Sequence, residues 1–196
     1  YSMGKFVFEF ETKFSEYFNS KYSVMVNSGS SANLLAIASL FYKKNNPLKR
    51  GDEVIVPAVS WSTTYSPFQQ YGLKLKFVDI DLNTLNYDIQ KLSTAISDKT
   101  RLVVAVNLLG NPNDFDEIKK IINNRDIIVL EDNCESMGAT YKNKKTGTIG
   151  LLGTFSSFFS HHISTMEGGM ICTDDKELYD IMKSLRAHGW TRNLDN

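Results

Sequence analysis

Hydrophobic positions along the chain change repeatedly between helical and strand spacing. Aromatic residues recur every three or four positions within residues 5–19, and this period predicts an amphipathic helix. Tyr22–Val26 alternates briefly and predicts a strand, and the largely apolar residues 30–43 predict a buried helix. A polar turn with a glycine at position 29 separates this strand from this helix.

The same alternation continues through the rest of the chain. Short apolar or β-branched runs predict strands, and amphipathic stretches between them predict helices. The predicted strands are 53–56, 74–78, 101–106, 127–130, 154–159 and 169–173, and predicted helices follow Trp61 or cover 88–96, 114–122 and 175–186. This order favours an α/β fold with an open, mainly parallel sheet wrapped by helices. Such sheets bind ligands at the carboxyl ends of their strands, so we expect the site there.

Composition and charge exclude several classes of protein. Lys and Arg total 22 and Asp and Glu total 22, so the formal net charge is zero, whereas nucleic-acid binding favours a basic excess. No apolar run approaches the about 20 residues of a membrane helix. Cys134 and Cys172 are too few for a disulfide framework, and we interpret both as structural thiols in a reducing cytoplasm.

Two polar segments and one tryptophan follow predicted strands. Residues 27–32, Asn-Ser-Gly-Ser-Ser-Ala, let backbone N–H groups approach a phosphate, although an ordinary helix cap fits as well. They match neither a Walker loop nor GxGxxG, which disfavours nucleoside triphosphates and NAD. Asp132 ends an apolar strand and is suited to hold a protonated ring nitrogen; a solvated capping loop is the alternative. Trp61 is able to stack on a flat ligand or to fill the core.

Residues 154–169 contain two of the three histidines. On a predicted strand, His161 and His162 point to opposite faces, so we expect neither a shared metal ion nor a metal site. Histidine titrates near neutral pH, which makes one of the pair a candidate general base, with a structural hydrogen bond as the alternative. We assign His162 to packing or to such a hydrogen bond. For His188, contact with a substrate or a partner subunit and a helix-terminal position are equally good interpretations.

Taken together, the order of these motifs resembles that of the DegT/DnrJ/EryC1/StrS family of sugar aminotransferases. The matching blocks are Phe10-Glu11, Asn27–Ala32 as written above, Val56-Pro57, Asp79-Ile80-Asp81, Leu109-Gly110-Asn111-Pro112, Glu131-Asp132, Phe155-Ser156 and Glu167-Gly168-Gly169. The resemblance implies fold type I of the pyridoxal-phosphate-dependent transferases, a three-layer sandwich. Residues 1–196 would form its large, cofactor-binding domain. Family members are longer, so we expect a fragment truncated at both ends that lacks the small C-terminal domain.

The resemblance also implies how this chain binds pyridoxal phosphate. Gly29 and Ser30 would bind the phosphate group, and the hydroxyl of Ser156 would donate to the same group. Trp61 would stack on the pyridine ring. Asp132 would pair with the ring nitrogen and keep it protonated.

His161 departs from the aminotransferase pattern. It precedes Glu167 by six residues, where the family carries the lysine that binds the cofactor covalently, and no lysine lies between Lys145 and Lys176. This departure resembles the small 3-dehydratase branch of the family. It implies pyridoxal or pyridoxamine phosphate held noncovalently, with His161 as the catalytic base. Glu135 would face the phenolic oxygen of the cofactor, where amine-transferring relatives commonly have Gln.

The resemblance to this branch implies a substrate and a reaction. The substrate is a nucleotide-linked 4-keto-6-deoxy sugar, and the enzyme removes its C3 hydroxyl in deoxysugar and lipopolysaccharide O-antigen synthesis. The resemblance implies GDP-4-keto-6-deoxy-D-mannose as the favoured substrate, glutamate as the donor that restores the amine of the cofactor, and a homodimer with shared active sites. The open alternatives are an amine-transferring enzyme, a CDP-4-keto-6-deoxyglucose 3-dehydratase with an iron–sulfur cluster, a non-catalytic homologue and a metal hydrolase.

Overall fold

The computed structural model describes residues 3–191 and residue 194. Helices and strands alternate through most of this range. The elements are α1 (Lys5–Phe18), β1 (Tyr22–Val26), α2 (Gly29–Leu40), β2 (Glu53–Pro57), α3 (Ser62–Gln70), β3 (Lys74–Val78), α4 (Ile89–Ala95), β4 (Thr100–Val106), a 3₁₀ turn (Leu108–Gly110), α5 (Phe115–Ile122), β5 (Ile128–Asp132), β6 (Thr140–Tyr141), β7 (Lys144–Lys145), β8 (Leu152–Ser156), β9 (Gly169–Thr173) and α6 (Lys176–Arg186).

Seven strands form one sheet in the order β1-β9-β8-β5-β4-β2-β3. Neighbouring strands from β8 to β3 run parallel, whereas β9 runs antiparallel to both β8 and β1. Since β1 and β8 are each antiparallel to β9, both point the same way as the parallel strands. The carboxyl ends of six strands therefore meet at one edge of the sheet. The predicted α/β fold with a mainly parallel sheet is confirmed.

Residues of the central strands alternate between two cores, one on each face of the sheet. Val54 and Val104 pack into the core that includes α2 and α6, whereas Ile55 and Val103 pack into the core that includes α4 and α5. In a strand buried on both faces, every apolar side chain is removed from water, and each contributes roughly 1.5–3 kcal/mol to the stability of the fold. The layers are thus helix, sheet and helix, as the family resemblance implies.

Helix α1 was predicted correctly, but its apolar stripe is only partly buried. Phe14 and Phe18 pack around Phe155, with ring centroids 5.2 and 4.5 Å from it. Phe6 and Phe10 continue the stripe toward the amino end, yet they remain 78% and 45% exposed within the described part of the chain. The period of the aromatic residues therefore predicted the helix, but it did not predict how much of the helix packs against the sheet.

Glu11 is a buried carboxylate on the face of α1 that packs against the sheet. Its Oε1 accepts the N–H of Met25 at 2.8 Å and pairs with the guanidinium of Arg186. Arg186 also donates to the carbonyl of Met25 at 2.6 Å. The cost of burying both charges is offset by these contacts, which fasten α1 and α6 to β1.

Several predicted boundaries move in ways that affect the site. The predicted strand 154–159 is wrong at its carboxyl end, because β8 ends at Ser156 and residues 157–168 form a loop. The predicted strand 127–130 continues to Asp132 in β5, and the helix predicted at 30–43 begins at Gly29 and ends at Leu40. Among the described residues, no helix combines the length and apolar character that a membrane span requires.

Candidate active site

A cleft of about 1150 Å³ lies at the carboxyl edge of the sheet. Its walls come from the segments that follow β1, β2, β4, β5 and β8, as expected for a parallel sheet. The structure brings every residue that the sequence predicted for the site to this cleft, namely Gly29, Ser30, Trp61, Asp132, Glu135, Ser156 and His161.

The amino end of α2 forms one wall of the cleft. Ser28 caps this helix, and its Oγ accepts the N–H of Ser31 at 3.1 Å. The first turn, with Gly29 and Ser30, lines the cleft. The N–H groups of a first helical turn lack partners within the helix and lie at the positive end of its dipole, so this wall favours an anion. The helix cap predicted as one alternative is present, and it leaves the first turn of α2 on the cleft wall, so the anion site stays a prediction.

Close packing at Gly29 shapes the same wall. A Cβ at this position would lie 2.6 Å from Cβ of Ser156 and 2.9 Å from Sγ of Cys134. Only glycine lets the backbone of α2 lie directly on the end of β8. Since Ser156 itself lines the cleft, its hydroxyl and the first turn of α2 border the same space.

Asp132 lies at the floor of the cleft and is 5% exposed. Its Oδ2 accepts the side-chain N–H of Asn33 at 3.0 Å and the hydroxyl of Thr64 at 2.8 Å. Its Oδ1 accepts the backbone N–H of Cys134 at 3.2 Å. The alternative of a solvated capping loop is therefore wrong, because Asp132 is the last residue of a buried strand and its carboxylate is held by neighbouring elements.

Glu131 precedes Asp132 but points to the opposite face of β5, away from the cleft. Its carboxylate accepts the backbone N–H groups of Gly147, Ile149 and Gly150, each at 2.6 Å. Burial raises the pKa of Glu131, and these hydrogen bonds partly offset that effect. The two adjacent carboxylates thus have separate roles, since Glu131 fastens the turn before β8 and Asp132 faces the site.

Sequence reasoning missed the polar side chains that hold Asp132. Asn33 is buried inside the apolar pattern of α2, and its Oδ1 accepts the hydroxyl of Thr154 at 2.6 Å. Thr64 is buried in the first turn of α3. The one available signal was an asparagine in the middle of an apolar helix, because a buried amide requires hydrogen-bond partners.

Glu135 and Trp61 lie on the walls of the cleft. Oε2 of Glu135 accepts the backbone N–H of Leu109 at 3.1 Å, which joins the segment after β5 to the 3₁₀ turn after β4. Trp61 precedes α3, lines the cleft and is 74% exposed, so its alternative position in the core is excluded.

The two cysteines are free thiols. Cys134 lines the cleft, and burial, reinforced by the charge of Asp132, raises its pKa well above 9.0. Cys172 lies in the core, and burial raises its pKa as well. Both stay protonated at neutral pH and are weak nucleophiles, which agrees with a structural interpretation.

The paired histidines lie on the loop after β8, and both line the cleft. The expectation that they point to opposite faces of a strand is wrong, because β8 has already ended. His161 is a half-buried wall residue whose backbone N–H donates to Phe158, and Nε2 of His162 lies 2.8 Å from the carbonyl oxygen of Met137. The hydrogen bond predicted as one role for His162 is confirmed. Across residues 3–191 and 194, no three His, Cys, Asp or Glu side chains are grouped to hold a metal ion.

Charge in the cleft is predominantly negative. Among the described lining residues, Asp132, Glu135 and Glu167 carry carboxylates, and none is Lys or Arg. Within this part of the chain, an anionic group in the cleft would meet N–H groups and hydroxyls rather than side chains of Lys or Arg. His188 is not among these lining residues, and its ring packs edge-on against Trp190 with centroids 5.9 Å apart.

Comparison with known proteins gives a consistent set of relatives. The chain is 67% identical over 194 residues to the GDP-4-keto-6-deoxy-D-mannose 3-dehydratase of Escherichia coli O55:H7. The match covers 99% of this chain and 50% of that protein. The chain thus spans about half the length of this curated relative. Among solved structures, a variant of GDP-4-keto-6-deoxymannose-3-dehydratase with bound GDP-perosamine matches with a TM-score of 0.96 and 67% identity over 98% of this chain and 50% of that chain.

A further structure of GDP-4-keto-6-deoxymannose-3-dehydratase holds a trapped PLP-glutamate geminal diamine and matches with a TM-score of 0.97. The sequence identity is 67%, and the match covers 98% of this chain and 50% of the chain in that structure. The model of the DegT/DnrJ/EryC1/StrS aminotransferase family matches residues 1–196. The resemblance inferred from the motifs is confirmed: the chain belongs to the DegT/DnrJ/EryC1/StrS aminotransferase family.

Proposed function

We propose that this chain is the cofactor-binding part of a lyase that removes the C3 hydroxyl of a nucleotide-linked 4-keto-6-deoxy sugar, with GDP-4-keto-6-deoxy-D-mannose as substrate. The observation that carries the proposal is His161 on the wall of the cleft, at the position where the aminotransferases have their lysine. The described lining residues include no lysine. The relative from Escherichia coli, at 67% identity, has this activity in its name.

The described residues of the cleft fit pyridoxal or pyridoxamine phosphate. Gly29 lets the backbone of α2 pack directly against Ser156. The first turn of α2 and the hydroxyl of Ser156 therefore border the same space, which suits a phosphate group. Asp132 offers a buried carboxylate, and a carboxylate in this setting is the usual partner of a protonated pyridine nitrogen. Trp61 offers an exposed ring that borders the same space.

In this proposal, each residue binds or orients one part of the cofactor. The N–H groups of Gly29 and Ser30 and the hydroxyl of Ser156 donate to the phosphate. Trp61 stacks on the ring, and Asp132 holds the proton on the ring nitrogen. Glu135, which Leu109 keeps in place, faces the phenolic oxygen.

Bound pyridoxamine phosphate supplies an amine that condenses with the C4 ketone and a ring that accepts an electron pair. His161 takes a proton from the C4′ carbon of the cofactor and returns a proton to the C3 hydroxyl as that group leaves. Because histidine cannot form the covalent link that lysine makes, His161 leaves the amine of the cofactor available to the sugar. Glutamate then restores the amine in a second half-reaction.

The proposal extends to the rest of the protein. In it, residues 1–196 form the large domain, which agrees with a match to 50% of the relative from Escherichia coli, and the complete enzyme also has a smaller domain. The enzyme is a cytoplasmic homodimer with shared active sites. A second copy would supply the positive charge that a diphosphate requires and that the described lining residues do not provide.

The test uses the complete enzyme with pyridoxal phosphate, glutamate and GDP-4-keto-6-deoxy-D-mannose, and the sugar product is identified by mass spectrometry. We expect loss of one oxygen from the sugar with release of ammonia. The control variant is His161→Asn, which keeps a polar side chain of similar size but cannot take the proton. It should retain the cofactor and give no product.

Other outcomes would contradict the proposal in different ways. An amino sugar would identify an amine-transferring enzyme. Turnover of the CDP-linked sugar alone would assign a different substrate. Absence of cofactor binding would support a non-catalytic homologue.

A further inference from the structure

The loop that carries His161 is closed at its base. Oγ of Ser157 and Oγ1 of Thr165 lie 2.6 Å apart, and the N–H of Thr165 donates to the carbonyl of Ser157 at 2.9 Å. The N–H of Ser157 donates to Gly168 at 3.0 Å. These contacts fix where the loop leaves and rejoins the sheet, but they lie several residues from His161.

A separate contact holds the tip of the loop. Nε2 of His162 lies 2.8 Å from the carbonyl oxygen of Met137, across the cleft wall that both residues line. A carbonyl oxygen only accepts, so Nε2 carries the hydrogen.

The acceptor belongs to a well-fixed turn. Ser136, next to Met137, is buried, and its hydroxyl donates to the carbonyl of Asn107. The backbone N–H of Ser136 donates to the carbonyl of Asn133, and the side chain of Asn133 donates back to the carbonyl of Ser136, each at 3.1 Å. This turn continues directly from Asp132. Its position is thus set by the same strand that holds the floor of the cleft.

We propose that His162 is a positioning residue that sets where the imidazole of His161 lies in the cleft. This proposal rests on the proposed function, in which His161 moves the proton. Residues 161 and 162 share a peptide bond, so the hydrogen bond to Met137 restrains the backbone that carries His161. A displacement of about 1 Å at a reacting group is able to cost about a hundredfold in rate.

The first measurement needs neither cofactor nor turnover. Hydrogen–deuterium exchange of the backbone amide of His161, which donates to Phe158 at 3.0 Å, reports on the tip of the loop. His162→Leu removes the N–H donor and keeps a side chain of similar size, and we expect the amide of His161 to exchange about five- to tenfold faster in this variant. His162→Gln keeps an N–H donor at a similar reach and should preserve the protection. The amide of Thr165, at the base of the loop, should change in neither variant.

Kinetics of the loaded enzyme give the second readout. We expect kcat of His162→Leu to fall roughly ten- to a hundredfold, with KM for the nucleotide sugar and the dissociation constant of pyridoxal phosphate within about threefold of the parent. His162→Gln should recover most of kcat. The matched control is Ile163→Ala, an exposed residue of the same loop outside the cleft lining, which should leave both readouts unchanged.

The two readouts separate failure of this proposal from failure of the proposed function. Unchanged exchange of the His161 amide in a folded His162→Leu protein would overturn the positioning role whatever the activity. Equal losses of kcat in His162→Leu and His162→Gln would also overturn it, since the donor would then be irrelevant. Faster exchange in a protein that performs no dehydration would leave the restraint on the loop established and would reject only the assigned reaction.

Discussion

Nδ2 of Asn33 lies 3.0 Å from Oδ2 of Asp132 and ties α2 to the end of β5. The hydroxyl of Thr154 donates to Oδ1 of the same amide, which fixes the direction in which Asn33 faces. Thr64 is the second donor to Oδ2 of Asp132. A carboxylate oxygen has about two acceptor sites, so both sites of Oδ2 are used. Oδ1 accepts the backbone N–H of Cys134, whose thiol also hydrogen-bonds this carboxylate.

Removal of the hydroxyl of Thr64 should therefore weaken cofactor binding. Thr64→Val keeps the shape of the side chain, and Thr64→Ser keeps the hydroxyl. A hydrogen bond to a charged group is worth about 1.5–3 kcal/mol, so we expect the dissociation constant of pyridoxal phosphate to rise roughly ten- to a hundredfold in Thr64→Val. Fluorescence titration of both variants measures the effect. Equal affinities of the Val and Ser variants would contradict this role for Thr64.

Gly29→Ala should damage the phosphate end of the site. The added Cβ would lie 2.6 Å from Cβ of Ser156, in a place where neither backbone can move freely. Overpacking of this kind costs about 1–3 kcal/mol of stability, and we expect weaker binding of inorganic phosphate and of pyridoxal phosphate as α2 moves away from β8. Gly4→Ala is the matched control, because nothing lies within 4 Å of its added Cβ. Urea unfolding and phosphate titration compare the two variants.

The sequence predicted most of the fold because hydrophobic period and strand order are local signals. It also located the site at the strand ends, since parallel topology brings those ends together. The hydrogen-bond partners of Asp132 could not be predicted, because Asn33 and Thr64 approach it only after α2 and α3 pack on the sheet. The prediction that His161 and His162 lie on a strand was wrong for a related reason. The end of β8 depends on its pairing with β9, which a local pattern does not encode.

His161→Lys tests whether the residue at this position selects the reaction. A lysine amine in the cleft would bind pyridoxal phosphate covalently, and the cofactor would then favour amine transfer over loss of the hydroxyl. We expect the variant, after borohydride reduction, to carry the mass of the cofactor, whereas the parent protein does not. Dehydration should fall by at least about a hundredfold, the lower end of the usual range for loss of a general base. Unchanged dehydration would contradict the assignment of His161.

The buried pair of Glu11 and Arg186 should contribute far more to stability than an exposed pair on the same helix. Both of its side chains are 9% exposed, and Glu11→Ala would leave the guanidinium buried without that carboxylate. Loss of one partner of a buried pair costs about 3–5 kcal/mol. Glu9→Ala removes the partner of Lys13 in a pair that is 70% and 49% exposed, so water screens the pair and its loss should change stability little. Chemical denaturation of both variants measures the difference, and similar losses would refute it.

The free energy of unfolding should fall above about pH 9 because of the buried Cys172. Burial raises the pKa of its thiol above the ordinary 9.0, so the folded chain keeps this proton at a pH where the unfolded chain has lost it. The unfolded state then binds fewer protons, and stability decreases as pH rises, by up to about 1.4 kcal/mol per pH unit for one group. Below pH 9 both states keep the proton and the effect disappears. Cys172→Ala should lower the slope between pH 9 and 10.5 by about this amount. Urea denaturation across that range measures both slopes, and identical slopes would assign the alkaline loss of stability to other groups.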